Sequence, residues 1–279
     1  MLARERFLAE IIDDIEHNRL ALPTLPEVAL RVRDAVEDEN ATAQQVAGIV
    51  ATDAALSARL LRVVNSPLYR ARTPVDNLQT AVSRLGNKRV RDLVTSLVMR
   101  QIFQATTDIL DQRLRRLWAH SVEVAAISRA LAQQFTSLSP DLAMLGGLIH
   151  DIGALPILVR AEDTPELLED EGVLDEIVAQ LHTRVGGAIL QAWGFPPALI
   201  AVAAEHEDLL RQPGPEPDCV DLVLVANLQC YLGTEHPLGK VDWSKVSAFS
   251  RVGIQPDVNI VELGTGESDM QALESLLTP

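Results

Sequence analysis

Apolar residues recur at helical spacing along most of this chain, and no segment shows the sustained two-residue alternation of a strand. Leu2, Phe7, Leu8, Ile11, Ile12 and Ile15 predict a helix over residues 2–17. His17 is expected in solvent near its end, where the helix dipole favours a cation. Leu22-Pro23-Thr24-Leu25-Pro26 stops this helix and starts another, with Thr24 as N-cap, Pro26 in the first turn and Glu27 completing a capping box. Two short helices follow, capped by Thr42 and by Thr52 or Asp53, and Asn65-Ser66-Pro67 breaks the second. Residues 77–86 give a further short helix closed by Gly86, and Lys88–Phe103 a longer one.

Beyond Asp111, Leu114, Leu117, Trp118, Val122, Ala125, Ile127 and Leu131 make a broad apolar face with His120 inside it. A helix from Pro140 runs into Gly146-Gly147-Leu148-Ile149-His150-Asp151-Ile152-Gly153, whose paired glycines would let a neighbouring backbone come close. Residues 162–176 are acidic and read as an exposed connection and helix start. The helix over 180–193 carries His182, with Gly186 one turn later, placed to press on a neighbour. Leu199–Leu210 is expected as a helix carrying His206 between Glu205 and Glu207; Arg211–Asp218 is a loop, and Val220–Tyr231 an apolar helix holding Asn227. Trp243–Phe249 and Met270–Leu277 read as short helices around a glycine-rich acidic loop. The pattern predicts an all-α protein: an N-terminal helical subdomain over 1–105, a helical bundle over 106–235 and a C-terminal extension over 236–279.

Composition supports packed helices. With five Phe, two Tyr and three Trp in 279 residues, the core must be built from Leu, Val, Ile and Ala. No apolar run is expected to span a membrane, and the charged N-terminus is unlike a secretory signal. Cys219 and Cys230 have neither metal-like spacing nor partners for a disulfide framework, so a reducing cytoplasm is expected. The net charge of −15 disfavours a nucleic-acid partner, because a phosphate backbone demands a basic footprint. Charge is uneven: residues 52–104 hold nine Lys/Arg against three Asp/Glu, and residues 161–279 five against twenty-one. Arg59, Arg62, Arg70, Arg72, Arg84, Lys88, Arg89 and Arg91 are therefore either a docking surface for another protein or a solvated helix face.

The chemistry centres on His150-Asp151. A neutral imidazole beside a carboxylate is a donor set for metal-assisted hydrolysis. Taken alone, a His-Asp dipeptide is weak evidence of a site, and its bland reading is a helix end with a hydrogen-bonded core histidine.

The order Leu-Pro-x-Leu-Pro, Thr-Asp-x-x-Leu, Arg-Leu-Leu-Arg-Val-Val-Asn-Ser-Pro-x-Tyr and Ala-Val-x-x-Leu-Gly resembles the HDOD domain from about Leu22 to Leu232. That family is a branch of the HD phosphohydrolase superfamily, found mainly in bacterial signalling proteins. The resemblance implies a metal centre whose first positions are His120, His150 and Asp151, with His182 and His206 matching extra histidines of the two-metal HD-GYP relatives. It also exposes departures. Asn227 stands where relatives carry a carboxylate, and a neutral amide is the poorer partner for a hard cation. Asp221 is about 240° away on that helix and cannot replace it. Ala154 occupies the place of a phosphate-contacting Lys, a loss on the order of 3–4 kcal/mol of transition-state stabilisation. Gly-Tyr-Pro is absent, and Glu205 replaces one of a histidine pair. Two readings follow: a non-catalytic signalling module working through protein contacts or ligand sensing, with no required cofactor, or a metal-dependent phosphohydrolase using Fe, Mn, Ni or Zn on a nucleotide or cyclic dinucleotide. Partner identity and oligomeric state stay open.

Overall fold

In the computed structural model, residues 3–258 are described except 18, 20, 39, 70–72, 104–107 and 170, together with residues 271, 272, 275 and 277. Every regular element among them is helical. The first six α-helices are α1 (Ala3–Glu16), α2 (Glu27–Glu37), α3 (Ala43–Val50), α4 (Ala54–Val64), α5 (Leu78–Leu85) and α6 (Asn87–Met99). The bundle adds α7 (Asp108–Phe135), α8 (Pro140–Ile149), α9 (Ala154–Ala161), α10 (Pro165–Glu169), α11 (Glu171–Ala192), α12 (Pro197–Glu205) and α13 (Cys219–Cys230). The last α-helix with described bounds is α14 (Ser247–Val252), and within the helix expected over Met270–Leu277 the described residues 271, 272, 275 and 277 are helical. Leu2, Arg70, Arg72 and the glycine-rich acidic loop lie outside the described residues.

Local chemistry explains most boundaries. Thr42 and Gln45 form a reciprocal capping box on α3, and Asp53, not Thr52, accepts from the Leu56 N–H at 2.9 Å to start α4. Thr24 does not cap α2. The helix starts behind Pro26, whose carbonyl already accepts from Ala29 at 2.9 Å and leaves a threonine cap no role. Gly86, at φ 83°, ends α5 and begins α6 in one residue, a backbone geometry L side chains resist. Asn65 explains its own motif: its amide nitrogen donates to the carbonyls of Leu61 and Val75, both at 2.8 Å, and its oxygen accepts from the Val75 N–H at 2.7 Å. One side chain thus closes α4 and pins the following loop.

The N-terminal helices meet the bundle through a buried carboxylate. Asp141, in the first turn of α8, accepts from the Tyr69 hydroxyl at 2.6 Å and pairs with Arg129 of α7 and with Arg89 of α6 at 3.4 Å. Two of the eight basic residues proposed for docking are therefore turned to acids of their own chain, Arg89 to Asp141 and Arg91 to Asp92. Arg59 donates to the Leu97 carbonyl and Arg84 to that of Thr73. Arg62, Arg84, Lys88 and Arg89 are exposed.

Helix α8 is the axis of the bundle. It packs on α7 more extensively than any other pair of helices, and it also touches α6, α12 and α13. The close α7–α8 approach depends on Gly147, since a Cβ there would lie 2.5 Å from the Ala125 Cα. Contrary to the expectation from sequence, residues 140–161 are long and apolar enough to cross a membrane. In the fold, however, they are mostly buried and are split at residues 150–153 into α8 and α9.

Two other boundaries differ from expectation. α11 begins at Glu171, well before residue 180, because Leu174 and Ile177 bury against the core and recruit the acidic stretch into the helix. α12 ends at Glu205 rather than Leu210, with a turn in which the Asp208 N–H bonds the Glu205 carbonyl at 2.9 Å. His206 therefore sits at a helix end.

Candidate metal centre

Four helix ends and faces bring the histidines to one point. His120 comes from the middle of α7, and His150-Asp151 from the break between α8 and α9. His182 comes from α11 and His206 from the end of α12. The break is held tight by Gly153, where a Cβ would lie 1.9 Å from the His182 carbonyl oxygen and 2.4 Å from the Gly186 nitrogen. Gly186 in turn lets α11 approach α12, with a Cβ there 3.2 Å from that of Ala203. The glycines of both motifs thus set the distance between ligand-bearing helices.

Asp151 is the hub. Its Oδ2 lies 3.3 Å from His150 Nε2 and 3.8 Å from His120 Nε2; its Oδ1 lies 3.2 Å from His206 Nε2 and 3.4 Å from His182 Nε2. The far ring nitrogens reveal the tautomers. Nδ1 of His150 faces the Gly147 carbonyl at 2.7 Å, that of His182 the Val178 carbonyl at 2.9 Å, and that of His206 the Val202 carbonyl at 3.0 Å. A carbonyl only accepts, so each Nδ1 carries a proton, and whenever the ring is neutral the Nε2 turned toward the carboxylate is a bare lone pair. This is the backbone orientation used for histidine ligands.

Lone pairs facing an anion at such distances need positive charge among them. Protons are one source. Burial alone would lower the His150 pKa, yet the negative charge of the adjoining Asp151 outweighs it and leaves it raised. His206 is lowered by burial, and burial also pushes His120 down to about 4, with the neighbouring His150 adding to the effect. Asp151 is held well below the usual carboxylate range by His150 and His206 although burial opposes this. A divalent ion is the other source. The donor atoms of His120, His150 and Asp151 lie within 4.8 Å of one another, as do those of Asp151, His182 and His206. His150 Nε2 is buried without a hydrogen-bond partner, which fits a ligand atom awaiting its ion. The residues fit a metal, and an imidazole-rich set with one central carboxylate suits Zn, Fe or Ni better than Mn.

All five candidate ligands proposed from sequence are thus brought together. Asn227 reaches the same place, close enough to His120 to raise its pKa against the burial that lowers it, and its Oδ1 is buried without a hydrogen-bond partner. Asp221 does not reach it: it is wholly buried in an ion cluster with Arg211 and Arg251, each at 2.6 Å. The bland reading of His206 as a surface residue is excluded by its 1% exposure. Three neighbours were not proposed as site residues. Glu207 lies 3.8 Å from His182 Nε2, the Tyr231 hydroxyl lies 3.4 Å from His120 Nε2, and His236 stacks on the Tyr231 ring at 3.7 Å. Glu207 had a faint signal, being an acid directly after a candidate ligand; Tyr231 and His236 had none.

The family model for the HDOD domain matches residues 22–209. The chain belongs to the HDOD family. Among solved structures it is similar to a protein of Shewanella amazonensis SB2B named as a candidate metal-dependent phosphohydrolase, at 29% identity and TM-score 0.85, over 99% of this chain and 100% of that one. It also shares its fold with an HDOD domain protein of unknown function from Geobacter sulfurreducens, at 22% identity and TM-score 0.69, over 99% of each chain. A curated relative, an uncharacterised protein of Treponema pallidum (strain Nichols), is 26% identical over 254 residues; the match takes 87% of this chain but only 47% of the relative.

Proposed function

We propose that this chain is a cytoplasmic regulatory module whose HD bundle holds one divalent ion without turning over a substrate, and whose surface is read by signalling proteins. The observation that carries this reading is Asn227. It stands beside His120 as a neutral amide with an unpartnered oxygen, where hydrolytic relatives place a carboxylate. Among the described residues, Asp151 is then the only carboxylate at the centre of the cluster, with Glu207 at its edge. Ala154, at the position of the relatives' phosphate-contacting Lys, is buried and brings no charge. Three histidines are almost wholly enclosed, and the ring of Tyr231 lies over that of His120.

When bound, the ion would supply the positive charge that the converging lone pairs lack. The chain's own part is positional: backbone carbonyls of α8, α11 and α12 orient three imidazoles, and Asp151 gathers them. The exposed Arg62, Arg84, Lys88 and Arg89 are the candidate docking face.

The test is metal analysis beside turnover of bis(p-nitrophenyl) phosphate and a cyclic dinucleotide with Mn, Fe, Ni or Zn. Metal retained by the wild type, lost in Asp151→Ala, and no turnover above that variant is the expected result. The second reading, a metal-dependent phosphohydrolase, is favoured by the retained His120, His150 and Asp151 and by the name of the Shewanella relative. Turnover that vanishes in Asp151→Ala would establish it instead.

A further inference from the structure

A second cavity lies away from the histidines, at the junction of α2 and α6 with the bundle. Its volume is about 270 Å³, a little below the roughly 300–1,000 Å³ of pockets for drug-sized molecules, so it suits a fragment rather than a nucleotide. Leu25 and Ala29 form one wall, and Leu145, Phe195, Pro196 and Leu199 the other. Arg33 fixes the rim by donating to the Trp193 carbonyl, while Trp193 Nε1 donates to that of Pro23 at 3.0 Å. The cavity is thus a built feature of the fold.

Its unmatched charge is negative. Both cations at the cavity are already engaged: Arg33 with Asp34 and the Trp193 carbonyl, Arg91 with Asp92. Asp92 is 5% exposed, and both Arg91 bonds fall on its Oδ1, at 2.9 and 2.8 Å. Its Oδ2 has no hydrogen bond among the described residues. Glu37, exposed at the end of α2, likewise has no partner among them. Thr95 spends its hydroxyl proton on the Arg91 carbonyl at 2.8 Å and keeps only acceptor capacity. Burial raises the Asp92 pKa, in line with a carboxylate short of positive company. With Arg33 matched by Asp34 and Arg91 by Asp92, the charge left over at this apolar cavity is that of Glu37, which selects a ligand carrying a positive charge.

We propose that this cavity binds a small organic cation, an apolar and preferably flat body carrying an ammonium group that meets Asp92 Oδ2 and Glu37. The cavity wall is shared with the metal centre's own helices. Leu145 precedes His150 on α8, and Leu199 lies on α12, which ends at His206. Binding here does not depend on whether that centre turns over substrate.

Calorimetric titration of the full chain with tryptamine, indole and indole-3-propionate tests the proposal, because these probes share one flat body and differ in charge. Tryptamine should bind at least tenfold more tightly than either of the others. Its affinity should fall at least tenfold in Ala29→Leu, which fills the cavity, and severalfold in Glu37→Gln, an exposed change that leaves folding intact. Should Ala29→Leu fail to fold, Glu37→Gln carries the decision. Absence of tryptamine binding, preference for the anionic probe, or tryptamine affinity unchanged in Glu37→Gln overturns the assignment.

Discussion

Two aspartates of the bundle, the buried Asp221 and the partly buried Asp151, meet opposite surroundings. Asp221 on α13 is completely enclosed and fully paired. Arg211 and Arg251 reach its Oδ1 at 2.6 Å, Arg251 reaches Oδ2 at 2.8 Å, and the Asp218 N–H adds a bond at 3.2 Å. Asp151 sits among four imidazole nitrogens at 3.2–3.8 Å and no guanidinium or ammonium is paired with it among the described residues. The first is a finished ion pair that ties the C-terminal segment to the bundle. The second is an anion surrounded by lone pairs, and its missing charge must come from protons or a metal. A buried carboxylate marks a site when its partners are groups that themselves want a cation, and marks architecture when its partners are cations.

Substitution should separate the two most strongly. Asp221→Ala leaves two guanidiniums near a buried void and should cost about 3–5 kcal/mol in chemical denaturation, while metal affinity of the folded fraction stays put. Asp151→Ala should do the reverse: at least a ~100-fold loss of metal affinity by competition with a chelator, and under about 2 kcal/mol of apo stability. Equal stability losses in both would erase the distinction.

Gly153→Ala comes next. Its Cβ would overlap the His182 carbonyl, so α9 and α11 must part, at a cost of about 3 kcal/mol and with metal affinity lost alongside. A variant as stable as wild type with full metal affinity would show that the break is looser than the packing implies. Asn227→Asp is a gentler probe, adding a second carboxylate beside His120. Metal affinity should rise about tenfold, and the His120 pKa should climb from about 4, readable by NMR titration of its ring. No change in either would mean the amide faces away from the ion.

The last contrast is in pH. His120 titrates near 4 in the fold against 6.5 when unfolded, so the unfolded chain binds more protons between those values. Its contribution to metal-free stability is complete above about pH 6.5 and is lost as pH falls toward 4. The lowered His206 acts in the same direction, and the raised His150 acts oppositely, favouring the fold at lower pH. In His120→Gln the fall between pH 6.5 and 4, followed by urea denaturation, should be shallower than in wild type. An unchanged slope would remove His120 from the coupled cluster.

The helices were legible because apolar periodicity runs through most of the chain, and the five ligands because the resemblance to the HD superfamily matched His120, His150, Asp151, His182 and His206 in order to its ligand positions. What the pattern could not convey were properties settled in three dimensions. Thr24 looked like a cap because spacing cannot show that the Pro26 carbonyl already takes the first helical bonds. The α12 boundary slipped because apolar and acidic residues continue past Glu205, while the turn depends on backbone bonding. Tyr231 and His236 escaped notice because their stack over His120 joins residues far apart in sequence. The basic stretch looked uniform, yet part of it is consumed by Asp92 and Asp141.

The central claim is that the Asp151 cluster is an ion site rather than a hydrogen-bonded core. X-ray absorption spectroscopy of the iron- or zinc-loaded chain tests it most directly. One ion per chain, with a first shell of imidazole nitrogens and a carboxylate oxygen and no second metal nearby, is the predicted result. A spectrum of hydrated ion without imidazole scattering, unchanged in Asp151→Ala, would contradict it.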